Sequence, residues 1–193
     1  MSIELRQVQV ELRGQRGSEL FFGKPIEQKK GQQTHEQFEE ETRQLRTHVD
    51  TDGRLFWPPL ALKNALEEAG RFLSEKIPGE GKKTFTDRFR KGVQTLQKMH
   101  LCLLDGTPCT MDDIVPRAMF VPSDGQRGGG KRVMKKFPAL TEWKTVANIL
   151  ISDPKITDEV LTRHLRAAGQ FVGFGPMRIG NGGINGIFEV KLL

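Results

Sequence analysis

Tyrosine is absent from this sequence, and cysteine and tryptophan occur only twice each. Aromatic content rests on 12 phenylalanines and the two tryptophans. Two cysteines, Cys102 and Cys109, without C-x-x-C spacing, exclude a disulfide framework. A reducing, intracellular compartment is the expectation. No window approaches the ~18 apolar residues of a membrane span. Met1-Ser2-Ile3-Glu4-Leu5-Arg6 is charged at once, unlike a secretory leader. A cytoplasmic protein is therefore expected. The four histidines, His35, His48, His100 and His164, never fall in H-x-x-x-H or H-E-x-x-H spacing. With two cysteines beside them, they give no ground for a metal site, and no cofactor is expected. No repeat of solenoid period is present.

What the chain does have is positive charge. Over 193 residues, 30 lysines and arginines face 24 acids, a net charge of +6 and a pI near 9.5. That length reads as one domain, long enough to bury a core without disulfides. The excess is concentrated. Arg71 to His100 holds eight basic residues against Glu75, Glu80 and Asp87, and Ser123 to Thr145 holds six against Asp124 and Glu142. The remainder is mildly acidic. Two basic segments on such a background point to a polyanion partner.

Val8, Val10 and Leu12 alternate with Gln7, Gln9 and Glu11, the period of a half-buried strand over residues 3–12. Residues 24–48 are polar, either a surface excursion or an exposed helix. Leu55-Phe56-Trp57 reads as extended, and Pro58-Pro59 suits a helix's first turn. Leu62, Ala65, Leu66, Ala69, Phe72 and Leu73 then make one apolar face over about 59–75. Phe85, Phe89 and Val93 at fourfold spacing predict a basic amphipathic helix within 76–98. Leu101 to Leu104 and Met119 to Pro122 read as short strands. Arg132 to Pro138 and Trp143 to Ile151 read as a hairpin turning near Pro138. Thr157 is a helix cap before Val160, Leu161, Leu165, Ala168, Phe171 and Val172, and Gly173 stops that helix. Ile187 to Leu192 is a last strand. The order is β-α-β-β-α-β, an α+β fold of ferredoxin-like or RNA-recognition-motif type, with residues 76–130 read as an insertion.

Lys131, Arg132, Lys135 and Lys136, with Arg127, lie on a loop and strand beside Gly128 to Gly130. Such residues give sequence-independent, salt-sensitive phosphate contact. Phe137 and Trp143 are candidate base-stacking rings. The segment Gly173 to Gly186 holds glycines at 173, 175, 180, 182, 183 and 186 with a single cation, Arg178. Glycine-rich backbone can come close to a partner, but no helix follows, so this is not a nucleotide-binding P-loop. Asp50, Asp52 and the pair Asp112-Asp113 are candidates for metal-dependent cleavage only if they converge in space.

Leu55-Phe56-Trp57-Pro58-Pro59 leading into Leu62-Lys63-Asn64-Ala65-Leu66 resembles the I-P-x-x-x-L-K-x-A-L entry to the first helix of RAMP-superfamily proteins. These include backbone subunits of CRISPR effector complexes. The loop from Gly173 to Gly186 before Ile187-Phe188-Glu189-Val190 is similar to that superfamily's glycine-rich loop. The chain over about residues 3–192 is also similar to short proteins encoded by bacteriophages and prophages. There the resemblance is carried by Arg132-Val133-Met134, Phe137-Pro138, Trp143, Ala168-Gly169 and Asn181-Gly182-Gly183. No counterpart of the loop aspartate that cuts RNA in some RAMP subunits is identified, so nuclease activity is not carried over.

The resemblance implies a strand platform that binds single-stranded nucleic acid along its backbone, as side-by-side copies. Lys131, Arg132, Lys135 and Lys136 would contact phosphates, as would Arg127. Arg178 with Gly173, Gly175, Gly180, Gly182 and Gly183 would clamp the chain, and Lys82, Lys83, Arg88 and Arg90 would supply a second basic surface. No catalytic residue is assigned. The alternatives are an assembly protein docking on its own copies or on a host protein complex, and a metal-dependent nuclease.

Overall fold

In a computed structural model, which describes residues 5–26, 34–122 and 130–193, the first alternating segment forms strand β1 (Arg6–Gly14), with Val10 and Leu12 fully buried. A two-residue strand β2 (Leu20–Phe21) follows, then helix α1 (His35–Thr42). Thr34 and Gln37 cap α1 reciprocally, each side chain accepting from the other's backbone N–H. Strand β3 (Phe56–Trp57) leads through Pro58 and Pro59 into helix α2 (Pro59–Leu73). Proline costs nothing there, because a first-turn N–H would have no intrahelical partner. Next come α3 (Thr86–Gly92), β4 (Val93–Thr95), β5 (Met99–Cys102) and β6 (Val115–Pro122). The chain ends with β7 (Arg132–Leu140), β8 (Lys144–Ile151), α4 (Asp158–Ala167) and β9 (Phe188–Leu192). Thr157 caps α4 by accepting from the Val160 N–H. One π-helical turn, Ala168–Val172, extends it to Gly173.

The larger sheet has the order β3-β5-β8-β1-β9, with β4 also on β8. All its pairings are antiparallel. Core strands thus run fourth, first, third, second, the ferredoxin-like arrangement, with α2 and α4 on one face. Leu62 and Leu66 of α2 and Leu161 and Leu165 of α4 bury against Val10, Leu12, Ala147, Ile149 and Phe188. Each such leucine contributes roughly 1.5–3 kcal/mol. The second core strand is interrupted: seven residues from Thr95 to Leu101 span the five from Ile149 to Thr145. The surplus bulges outward, leaving Leu96, Gln97 and Lys98 exposed.

Three expectations change. The hairpin near Pro138 does not form: β7 runs through Pro138 and pairs with β6 and β2 in a separate three-stranded sheet, while β8 joins the larger one. Pro138 is tolerated because its carbonyl accepts from Phe22 N–H, so its donor-less nitrogen also points toward β2 and not toward β6. The basic helix is shorter than its apolar spacing predicts. It stops at Gly92, where an added Cβ would lie 2.7 Å from Asp153 Cβ, and Val93 starts a strand. Phe72 and Phe171 match the helical period yet are 62% and 48% exposed, packed on each other at 4.8 Å.

Candidate nucleic-acid interface

Alternation along β7 sends Arg132, Met134 and Lys136 to one face of the β6–β7 ribbon and Val133, Lys135 and Phe137 to the other. On the first face Phe120 lies opposite Met134 and Ala118 opposite Lys136. Phe120 is 62% exposed although it sits mid-strand. Lys136 is held by α1: its backbone N–H donates to Glu39 at 3.0 Å and its ammonium to Glu40. That hydrogen bond holds the Glu40 carboxyl below its ordinary range. Among the described residues Lys131, Arg132 and Lys135 form no ion pair, and Lys131 and Arg132 are exposed. Arg127, Gly128 and Gly129 lie outside the described residues.

On the second face Phe137, Phe21 and Ala139 form a small buried cluster with Met119, Val121 and Met177. Phe137 is therefore unavailable for stacking, and so is Trp143, which is fully buried beside Phe174 and Phe188. The glycine-rich loop reaches this second face through Met177. Arg178 next to it pairs with Glu68 of α2 at 3.1 Å. The ribbon thus separates Arg132 from the side on which Lys135 and the Arg178 loop lie.

The loop's glycines meet this chain's own backbone. A Cβ on Gly175 (φ 86°) would lie 2.4 Å from the Phe21 carbonyl oxygen, and one on Gly183 would lie 2.1 Å from that of Met177. Gly180 sits against Glu68 and the Val172 carbonyl, while Gly173 and Gly182 turn the chain at positive φ. Gly186 N–H donates to the Glu19 carbonyl, and Glu19 N–H to the Asn185 side chain. The loop is stitched to β2.

Lys82, Lys83 and Arg88 border a cleft of about 670 Å³ with Glu80, Asp87 and Asp153. Arg88 is clamped between Glu80 and Asp153, both at 2.7 Å, and its hydrogen bond pulls the Glu80 carboxyl below its usual range. Arg90 pairs with Asp87 at 2.9 Å and Lys83 with Glu80 at 3.9 Å. Of the four cations expected to form a second basic surface, Lys83, Arg88 and Arg90 are thus paired with carboxylates. Among the described residues Lys82, and Lys91 beside it in the cleft, form no ion pair.

The face of the larger sheet opposite α2 and α4 is open. β1 presents Gln7, Gln9, Glu11 and Arg13 there, and β8 presents Lys144, Val146, Asn148 and Leu150. Gln9 donates to Asn148, which donates to Gln97. At the β3–β5 edge the Lys98 ammonium lies 4.6 Å over the Phe56 ring, flanked by His48 and His100. His100 Nε2 is 3.0 Å from Asp50 Oδ2. Asp50 also accepts from the N–H groups of Arg54 and Asp52, which with His100 hold its carboxyl below the ordinary range. Asp50 is thus a turn and histidine anchor. Asp113 is likewise committed, closing a cap with Thr110. Among the described residues no three His, Cys, Asp or Glu side chains gather to hold a metal. Burial pushes the Cys109 thiol up to about 12, out of nucleophile range. The sequence signal for the open-face corner was the Asp50-Thr51-Asp52-Gly53-Arg54 turn before Phe56. Nothing local tied it to Lys98 or His100.

No protein-family model matches this sequence, and a comparison with curated proteins finds no match. Among solved structures the fold is similar to Cmr6 from Pyrococcus furiosus, at 13% identity and a TM-score of 0.43, over 90% of this chain and 94% of that one. It is also similar to a chain of a CRISPR RNA-guided surveillance complex, at 12% identity and a TM-score of 0.37, over 95% of this chain and 68% of that one.

Proposed function

We propose that this chain is a non-enzymatic protein that binds single-stranded DNA or RNA along its phosphate backbone, as one component of a larger nucleoprotein assembly. The observation that carries the reading is the first face of the β6–β7 ribbon. An exposed ring, Phe120, stands with Met134 between Arg132 and Lys136, and Lys131 adjoins them. The cations without an ion pair here, Arg132 and Lys131, meet phosphates and release counterions, while Lys136 stays with Glu40. The Phe120 ring beside Arg132 offers a stacking surface to whichever base lies there, which a duplex does not expose. The resemblance to phage-encoded proteins would set this activity in the cytoplasm of an infected cell.

Fluorescence anisotropy with labelled oligothymidylate and oligouridylate, from about 50 to about 200 mM salt, tests it. Affinity is expected to fall steeply over that range. Arg132→Ala and Lys131→Ala should each lower the log–log salt slope by about one. Phe120→Ala should weaken binding about 5- to 150-fold with the slope unchanged. Absence of binding at the lowest salt overturns the proposal.

A second reading, docking on another copy, draws support from the exposed Phe72–Phe171 pair. Light scattering of the parent chain and of Phe72→Ser distinguishes it: a monomer in both, with and without oligonucleotide, removes self-assembly.

A further inference from the structure

Phe56 belongs to neither the ribbon nor the core. Its ring is half-buried, yet the group over its face is an ammonium, that of exposed Lys98. An ammonium keeps its water, so this ring face is turned to solvent. His48 and His100 stand beside it with ring centroids at 5.5 and 6.4 Å. The bulge between β4 and β5 is what lifts Lys98 into place. Asp50 fixes His100 through Nε2, which leaves Nδ1 without a protein partner among the described residues. From Lys98 and His100 a cleft of about 310 Å³ extends to Lys144 and Asn148, with Glu11 as its one carboxylate among the described residues. That volume is the lower end of small-ligand cavities, roughly 300–1,000 Å³. The central strands β1 and β8 carry no aromatic residue on this open face, so stacking there is confined to the Phe56 corner.

We infer that this corner is a subsite for one unpaired nucleotide. The base takes the face of Phe56 that Lys98 now holds. The freed ammonium moves to the phosphate, where Lys144, whose ammonium donates one hydrogen to the Leu104 carbonyl at 2.8 Å, joins it with its remaining donors. Beyond the Gln9–Asn148–Gln97 chain, the Gln97 Nε2 group and the second Asn148 Nδ2 hydrogen remain as donors for the base or sugar edge. An acidic peptide would use the two cations but leave the ring and the amides idle; a nucleotide uses all three. This inference rests on the reading of the chain as a single-strand binder and adds a contact on a different sheet from the ribbon.

Phe56→Leu keeps an apolar side chain and removes the flat ring. Lys98→Ala, on an exposed bulge, leaves the fold alone and serves as the second variant. Titrated with labelled oligothymidylate, Phe56→Leu is expected to bind about 5- to 150-fold more weakly with an unchanged salt slope. Lys98→Ala should weaken binding and lower the slope by about one. If both variants stay within about twofold of the parent while Arg132→Ala weakens it, the corner is overturned and the ribbon stands. If the parent binds no oligonucleotide at low salt, the ribbon reading has failed. The corner is then decided by adenosine 5′-monophosphate, followed by ring-proton shifts. Saturable shifts at Phe56, His48 and His100 that Phe56→Leu abolishes support it, and their absence overturns it.

Discussion

His164 shows how one side chain sets a pH limit on the whole molecule. It is fully buried, stacked on Phe89 at 4.1 Å, with Nδ1 2.9 Å from the Val160 carbonyl oxygen. A carbonyl only accepts, so Nδ1 carries the proton, and Nε2 is left buried without a partner. Protonating Nε2 would place a donor among apolar rings. Glu75, 3.9 Å from Nδ1, offsets this only in part, and burial lowers the pKa below 6.5. His48 is lowered too, by burial first and Lys24 second. For a base with a depressed folded-state value, the unfolded chain takes up protons first. Stability is therefore full above pH 6.5 and declines as pH falls below it. The unfolding midpoint should drop between about pH 6.5 and 5, above the range in which carboxylates titrate. His164→Met should flatten much of that drop, leaving the His48 part. A midpoint level across that window would refute the assignment.

At the scale of elements, the glycine-rich loop and β2 form one packed unit. Gly175→Ala and Gly183→Ala each drive a methyl into a carbonyl oxygen. Gly17, like Gly175 but unlike Gly183, has positive φ (82°), and open space surrounds its missing Cβ. Substituting Gly17 costs only left-handed strain, about 1–2 kcal/mol. The two loop substitutions bring a backbone clash and should cost several kcal/mol. Since 1 kcal/mol is about 2–4 °C in a chain of this size, calorimetry should separate them clearly from Gly17→Ala. Equal melting points for the three would show that the loop yields freely. The loop's glycine content was legible in the sequence, but the neighbour it accommodates was not. A residue that lacks a side chain signals close approach without naming what approaches.

For the molecule as a whole, the α+β class was legible because α2 and α4 carry strong apolar faces and β1 and β8 alternate cleanly. But the second core strand is β4 with β5, inside residues 76–130 read as an insertion, and Arg132 to Pro138, read as that strand, belongs to the other sheet. Partnership between strands was less legible. Periodicity in Arg132 to Leu140 says which side chains share a face, and nothing about whether β6 or β8 lies alongside. Parity, however, was readable: Arg132 and Lys135 are three apart, so any strand must set them on opposite faces. Counting cations by segment missed this, and it also missed that Arg88 and Arg178 are spoken for by nearby carboxylates. The Phe56 corner draws on residues from 48 to 144 joined only through the fold. If both surfaces act on one strand, disabling them together should abolish oligonucleotide binding while each alone only weakens it. Additive losses in Phe56→Leu/Phe120→Ala, measured by anisotropy, would identify two independent contacts, and full loss from either single variant would contradict this.

Pro138 has a reach beyond its own strand. Phe22 N–H finds the Pro138 carbonyl, but the return rung from residue 138 to β2 does not exist, and the ladder ends after Phe21. The chain leaving Phe22 is thereby released from the sheet edge, and downstream it supplies α1, whose Glu39 and Glu40 grip Lys136. A single missing hydrogen in the middle of β7 thus helps decide which of its cations goes out to meet a ligand and which is kept at home.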